Sequence, residues 1–354
     1  MEIARVSLKY ALYVFLVIFM IIVPPLFSAI GYTWPVVVIS YGMAFAIGGL
    51  GFNLLLGYTG LLSFGHAAFF GGGAYIAALY FKYMRPVPYG KPQPLFVTSL
   101  EVWLLLAIVG IAIISMIFGA ICVRHTEVYF AVLALALSMV LWGLAFRLYW
   151  YTGGGEGMRV PTPSLLGIDY HDAVEISRTM TKLEFFVGPY YYYELFIFLI
   201  CIAVMWVIVK SPFGKTLQSI RANATRAEFV GIRVRMYRWI AFVLSGIFAS
   251  IGGVLWAPIN GQCTPDVLYW FTSGIFVFLT IVGGYRMFAG PLVGGILYEF
   301  LEIYARGHFH EIWQIILGGI LVVFVLFLPK GITGGLVSLY ERIKVGRMRS
   351  GGLA

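Results

Sequence analysis

Gly51-Phe-Asn53-Leu-Leu-Leu-Gly57-Tyr58-Thr59-Gly60-Leu-Leu-Ser63-Phe-Gly65-His66-Ala-Ala-Phe69-Phe-Gly71-Gly-Gly73-Ala-Tyr75 is the stretch on which the reading of this chain turns. It is apolar enough for a membrane interior, yet glycine recurs through it and Asn53, Ser63 and His66 stand inside it. Glycine at 57 and 60 permits a break in the helical backbone, and the Gly71-Gly-Gly73 run lets neighbouring helices approach closely. Irregular backbone at membrane depth is tolerated only inside protein or beside a water-filled cavity. The glycines alone are equally compatible with plain helix packing. With the three polar side chains added, the stretch reads as the border of a translocation path formed by Asn53, Tyr58, Ser63, His66 and Phe69, with Gly57, Gly60 and Gly65 as breaks or packing points.

The rest of the chain fits a membrane setting. Its 354 residues are 61% apolar and 11% charged, against roughly 25% charged in ordinary soluble domains. A bilayer accepts that surplus because lipid-facing helices need no polar outer face. The net charge of +9 is spread between apolar runs rather than gathered in one basic, aromatic-interleaved stripe, so it points to membrane topology and not to nucleic acid. Cys122, Cys201 and Cys263 are widely spaced in or beside apolar runs and read as packing residues rather than a disulfide or metal framework.

A span needs about 20 mostly apolar residues. Ten stretches qualify or nearly so, close to 10–30, 34–56, 61–81, 102–122, 127–150, 191–209, 239–260, 270–285, 291–306 and 312–328. The basic start from Arg5 to Lys9 resembles a signal peptide, but its apolar run continues through Pro24-Pro25 to Ile30, long enough for a first span. The eighth and ninth stretches are short and flanked by Gly283-Gly284 and Gly290-Pro291, which suits half-helices or a re-entrant pair. The expected fold is therefore a single all-α polytopic membrane domain over 1–354, with eight to ten transmembrane helices and glycine-rich breaks.

A cytoplasmic amino terminus puts Arg5, Lys9, Arg124, the basic 210–238 segment, Arg286 and the tail from Lys330 to Arg349 on one side. Glu156, Asp169, Asp172, Glu175 and Glu184 fall on the other, as the positive-inside rule requires. Both termini are then cytoplasmic, residues 330–354 form a cytoplasmic tail, and 151–190 is an outer loop. That loop holds Gly153-Gly-Gly-Glu-Gly157 and Pro161-Thr-Pro163 and reads as having little regular structure.

The inner segment 211–235 reads differently. Ser211 is a plausible N-cap with Pro212 at the first helical position, and Gly231 is a plausible stop. Phe213, Leu217, Ile220, Ala224 and Ala227 recur at helical spacing to form one apolar stripe, with Lys215, Gln218, Arg221, Arg226 and Glu228 off it. The segment is too polar to span, a split near Asn223 is expected, and its stripe should face outward. A basic amphipathic helix can also lie on anionic lipid headgroups.

The Gly51–Tyr75 run resembles the signature of the permeases of branched-chain amino-acid ABC importers, in particular the LivM-like branch. Four more segments resemble that family in the same order: Arg124-His125 to Ala136, Thr152-Gly-Gly-Gly-Glu-Gly157, Ser211-Pro-Phe-Gly-Lys215 through Val230-Gly-Ile232, and Ile281-Val-Gly-Gly284 to Gly290-Pro-Leu-Val-Gly294. The resemblance implies an ABC importer permease fold in a bacterial or archaeal cytoplasmic inner membrane. It also implies a second homologous permease, two ATP-binding cassette ATPase subunits and a periplasmic substrate-binding protein. On that likeness the segment 211–235 is a coupling helix docking into an ATPase cleft. Its contact residues would be Phe213, Gly214, Leu217, Ile220, Arg221, Ala224, Ala227, Glu228 and Gly231, and the path residues would meet the partner permease.

No Walker-type phosphate loop occurs, so ATP and Mg2+ belong to the partner subunits and this chain is expected to bind no cofactor. His308-Phe-His310-Glu311 lacks the two-histidine helical spacing of a zinc site, and no metal is expected there. Tyr190-Tyr-Tyr-Tyr193 and Trp150-Tyr151 read as interfacial aromatic belts. Glu299 and Glu302 are equally compatible with snorkelling and with lining a path. A secondary transporter would need an ionisable relay, for which only His66, Arg147, Glu299 and Glu302 stand out, without an obvious pair. An intramembrane enzyme would need a third group beside Ser63 and His66, and none is identifiable. Relatives of the resembled family carry urea, amides and aromatic acids as well as branched-chain amino acids, which leaves those solutes open.

Overall fold

The computed structural model describes residues 18–86, 93–125, 127–170, 181–309, 311–328, 330–335 and 338. Arg5, Lys9, Asp172, Glu175, His310 and the tail beyond residue 338 lie outside them. The described chain is mostly helical, and each apolar stretch of the sequence contains a helix: α1 (Ile18–Ile30), α2 (Trp34–Asn53), α3 (His66–Met84), α4 (Leu100–Cys122), α5 (Glu127–Arg147), α6 (Pro189–Lys210), then the short polar α7 (Pro212–Ala222) and α8 (Ala224–Phe229), and α9 (Val234–Asn260), α10 (Trp270–Gly283), α11 (Gly290–Phe309) and α12 (Trp313–Phe327). Among the described residues six helical stretches are long and apolar enough to cross a membrane: Trp34–Thr59, Leu100–Cys122, Val128–Arg147, Lys182–Lys210, Val234–Asn260 and Trp313–Gly335.

The layering follows from which helices carry glycine. The α2 and α9 helices are largely buried and pack along each other, with α3 and α4 against α9 and α11 against α2. A Cβ on Gly253 would sit 2.7 Å from the carbonyl carbon of Phe70, and one on Gly73 would sit 2.9 Å from Ser250 Cα. Bare backbone at this crossing lets α3 and α9 touch main chain to main chain, the close approach that drives association where lipid tails remove any hydrophobic gain. Outside this axis α4, α5 and α12 turn most of their residues outward, as lipid-facing helices do.

The short pair resolves as a tight hairpin. The α10 helix has 14 residues, about 21 Å at 1.5 Å per residue, and so falls short of a hydrocarbon core of about 30 Å. It turns through Gly284, at φ 114°, into α11, which packs back along it with Gly283 against the Gly290 carbonyl and Gly294 against the Leu279 carbonyl.

The outer segment carries more order than its composition suggests. Met158–Arg159 (β1) pairs antiparallel with Gln262–Cys263 (β2), in the register Met158 to Cys263 and Arg159 to Gln262. A helix at Lys182–Val187 is fixed by a full capping box between Thr181 and Glu184. Local propensity is weak in both places. A tertiary partner, the end of α9, supplies the strand pairing. Two of the four tyrosines expected in an aromatic belt are also core residues: Tyr190 and Tyr191 are fully buried, and the Tyr190 hydroxyl donates to the Leu255 carbonyl. Trp150 and Tyr151 are exposed, as a belt requires. Cys122, Cys201 and Cys263 are free and buried.

Candidate coupling and translocation site

The break in the second span lies where its glycines place it. After Asn53 the α2 helix widens into a π-helical stretch, Leu54–Thr59, and ends at Gly60 in the left-handed region with φ 77°. Residues 61–65 then return into the bundle without forming a regular helix, and α3 begins at His66. A π-turn inserts one residue into the helix and commonly marks a functional site. Its frayed end leaves carbonyls with no intrahelical donor.

His66 Nε2 lies 2.6 Å from Ser245 Oγ on α9, and the ring is bounded by Phe52, Phe69 and Phe276. The Ala67 amide donates to Ser273 Oγ at 2.9 Å, the Gly65 amide to Ser63 Oγ at 3.3 Å, and Asn53 Nδ2 to the Met287 carbonyl at 3.4 Å. Asn53, Ser63, His66 and Phe69 are all buried within this one chain. The expectation that they meet a partner permease is corrected here: a side chain enclosed by its own bundle has no surface to share. These residues fasten the broken segment to α9, α10 and the 284–289 turn. Tyr58 alone of the five keeps some exposed surface.

The polar segment folds as its capping residues direct. Ser211 caps α7 through the Gly214 amide, Pro212 opens the helix, and Asn223, extended at φ −163°, ends α7 and caps α8 through the Arg226 amide at 2.9 Å. Gly231, at φ 89°, closes α8, with the Ile232 amide donating to the Ala227 carbonyl at 3.0 Å. The expected split near Asn223 is present.

The orientation is the reverse of the expected one. Gly214, Leu217, Ile220 and Ala227 are buried, and Phe213 stacks on Tyr237 at 5.6 Å. The apolar stripe expected to fill an ATPase groove packs instead on the π-turn, α6 and α9 of its own subunit. An apolar stripe in a water-facing helix needs a partner, and the bundle floor supplies it first. The surface left outside is Lys215, Gln218, Arg226 and Glu228, joined by Phe229 at 87% and Val230 at 81% exposed. Neither Phe229 nor Val230 belongs to the stripe. Their signal in the sequence is an apolar pair just before the Gly231 stop, off the helical repeat.

Arg221 joins the two halves of the site. Its guanidinium donates to the Gly57 carbonyl and lies 5.4 Å from the centre of the Tyr285 ring. Among other ionisable residues, Glu302 pairs with Arg306 one turn on, and His308 Nδ1 lies 3.0 Å from the Tyr304 carbonyl. Glu299 is buried on α11, and Glu194 is buried on α6. Glu194 ends the four-tyrosine run, where the belt reading hid it.

A family model described as the permease component of the branched-chain amino acid transport system matches residues 35–326. The chain is 26% identical over 302 residues to the high-affinity branched-chain amino acid transport system permease protein LivM of Escherichia coli, covering 82% of this chain and 68% of that protein. It is 22% identical over 305 residues to LivH of Salmonella typhimurium and 21% over 319 residues to BraD of Pseudomonas aeruginosa, each alignment covering 84% of this chain and 93% of the relative. No solved structure matches it. With the matched region running from the start of α2 to the end of α12, the chain belongs to the permease-component family of branched-chain amino acid transport systems.

Proposed function

We propose that this chain is one transmembrane permease of an ATP-driven importer of branched-chain amino acids, working with a second permease, two ATPase subunits that bind ATP and Mg2+, and a periplasmic binding protein that delivers the solute. The chain lies in a bacterial or archaeal cytoplasmic membrane, crosses it more than the six times that length and apolarity alone support, and keeps both termini in the cytoplasm. Sidedness rests on charge. Lys210, Lys215, Arg221, Arg226, Arg233 and Arg235 cluster at or beside α7 and α8, with Arg286 close by, and basic residues mark the cytoplasmic face.

The observation that carries the coupling assignment is the exposed pair Phe229–Val230 on a polar helical hairpin, with Arg226 and Arg233 near it. An apolar knob of this kind among charges marks a protein contact, and the partner that an importer permease requires at its cytoplasmic end is the ATPase. The basic residues around the knob orient docking more than they add affinity.

Replacing both residues by Asp is expected to leave the subunit folded, since neither is buried, and to weaken ATPase retention by about a hundredfold, the scale of two lost hot-spot residues. Co-purification of the ATPase with the detergent-extracted permease measures this. Unchanged retention would assign the knob to the lipid surface and remove the coupling role. The purified chain alone is expected to hydrolyse no ATP, and turnover in the absence of the partners would overturn its place as a permease.

A further inference from the structure

The route by which movement of α7 and α8 reaches the membrane interior is open to a specific assignment, which rests on the importer reading above. Three segments distant in sequence meet at one point. The π-turn contributes the Gly57 carbonyl, α7 contributes Arg221, and the turn between α10 and α11 contributes Tyr285 and Met287. The fit leaves little slack. A Cβ on Gly57 would meet the Tyr285 carbonyl and, at 2.9 Å, the side-chain carbon of Asn53, while one on Gly60 would sit 3.2 Å from Arg221 Cγ. The aliphatic stem of Arg221 therefore runs over Gly60 before its guanidinium reaches Gly57. Arg286 lies over the same Tyr285 ring at 5.6 Å.

Mechanically the segment from 54 to 65 differs from what surrounds it. The helices on either side carry complete ladders. Between Gly60 and His66 the printed main-chain tie is the Leu61 amide to the Leu55 carbonyl at 3.1 Å, with Ser63 Oγ accepting from Gly65. A stretch with few main-chain bonds is the part of a bundle that opens locally at least cost. Leu217 and Ile220 press on this floor without direction, because apolar contacts slide. A guanidinium bonded to a carbonyl is directional and stronger, and it transmits displacement along its own axis.

We propose that Arg221 is the transmission residue of this permease: movement of α7 is carried through its bond to the Gly57 carbonyl into the broken segment 54–65, which shifts against the 284–289 turn and opens the inner mouth of the path. Arg221 touches neither the solute nor the ATPase in this arrangement. It positions segment 54–65, and its loss separates ATP turnover from transport.

The test uses the complete transporter, with partner permease, ATPases and binding protein, in proteoliposomes. ATP hydrolysis and uptake of radiolabelled leucine are measured on the same preparation. Arg221→Met keeps the stem over Gly60 and removes the donor. It is expected to retain the ATPase subunits and hydrolyse ATP within about twofold of wild type, while leucine carried per ATP falls about tenfold, the scale of one charged hydrogen bond. Arg221→Lys, which can still donate to Gly57, is expected to recover part of the ratio. A wild-type ratio in Arg221→Met overturns the transmission role alone. Loss of ATPase retention in both variants also overturns it, by making Arg221 a structural residue of α7. Wild-type assemblies that carry no leucine instead overturn the importer reading on which it rests.

Discussion

Gly253→Leu is expected to abolish the folded subunit, and Gly253→Ala to destabilise it severely. The obstacle is main chain: the added Cβ falls on the Phe70 carbonyl and 3.2 Å from the Ala74 amide nitrogen. A side chain in that position could swing away, but a carbonyl cannot without leaving its own helical ladder. Overpacking of a core costs about 1–3 kcal/mol even where side chains yield, and here α3 and α9 must separate along the crossing that Gly73 and Gly253 share. Gly143→Ala and Gly274→Ala form the control, since a Cβ at either position meets nothing within 4 Å. Yield of a monodisperse gel-filtration peak after detergent extraction measures the effect. Equal yields for Gly253→Leu and Gly143→Ala would mean that α3 and α9 do not cross here.

Ile220→Asp is expected to have the next largest effect, and by a different cause from the one its place in the sequence suggests. Were the stripe outward-facing, Asp at 220 would spare the fold and cost only the ATPase contact. Ile220 is 1% exposed, against the floor of the bundle. A carboxylate there loses its hydration with no cation placed to receive it, and the site loses an isoleucine's packing. Losses of about 2–5 kcal/mol are usual for the packing alone, and an unpaired buried charge adds to them. Ile220→Asp should therefore melt α7 from the bundle and lower the thermal unfolding midpoint of the extracted subunit. Lys215→Asp on the exposed side should move it little. An unchanged midpoint for Ile220→Asp, with loss of ATPase binding alone, would restore the outward stripe.

These contrasts mark what a single sequence discloses. Helix positions were legible because hydrocarbon thickness fixes their length, and because Ser211, Asn223, Gly231 and Gly284 punctuate the chain by local chemistry. Helical spacing also gathered Phe213, Leu217 and Ile220 on one face correctly. It could not tell what that face lies against, since burial is decided by elements elsewhere in the chain. The same limit applies to His66: its polar character inside an apolar run was visible, while its partner Ser245, 179 residues away, was not. Glu194 was masked by its tyrosine neighbours, and the strand pairing of Met158–Arg159 with Gln262–Cys263 joins segments of weak propensity that no local pattern connects.

The π-turn at Leu54–Thr59 has a further consequence, for insertions and deletions. An ordinary helix that loses one residue turns everything beyond it by about 100°. Removing any one of Leu54, Leu55 or Leu56 would convert the wide turn to regular α-helix, leaving the apolar character of the segment untouched. Yet Gly57 would rotate away from Arg221, Gly60 would no longer lie beneath the arginine stem, and the chain would re-enter the bundle facing away from Ser245. Exchanges among Leu, Ile and Met at these positions preserve that geometry. This part of the permease is thus specified by its length in residues more strictly than by the identity of its side chains.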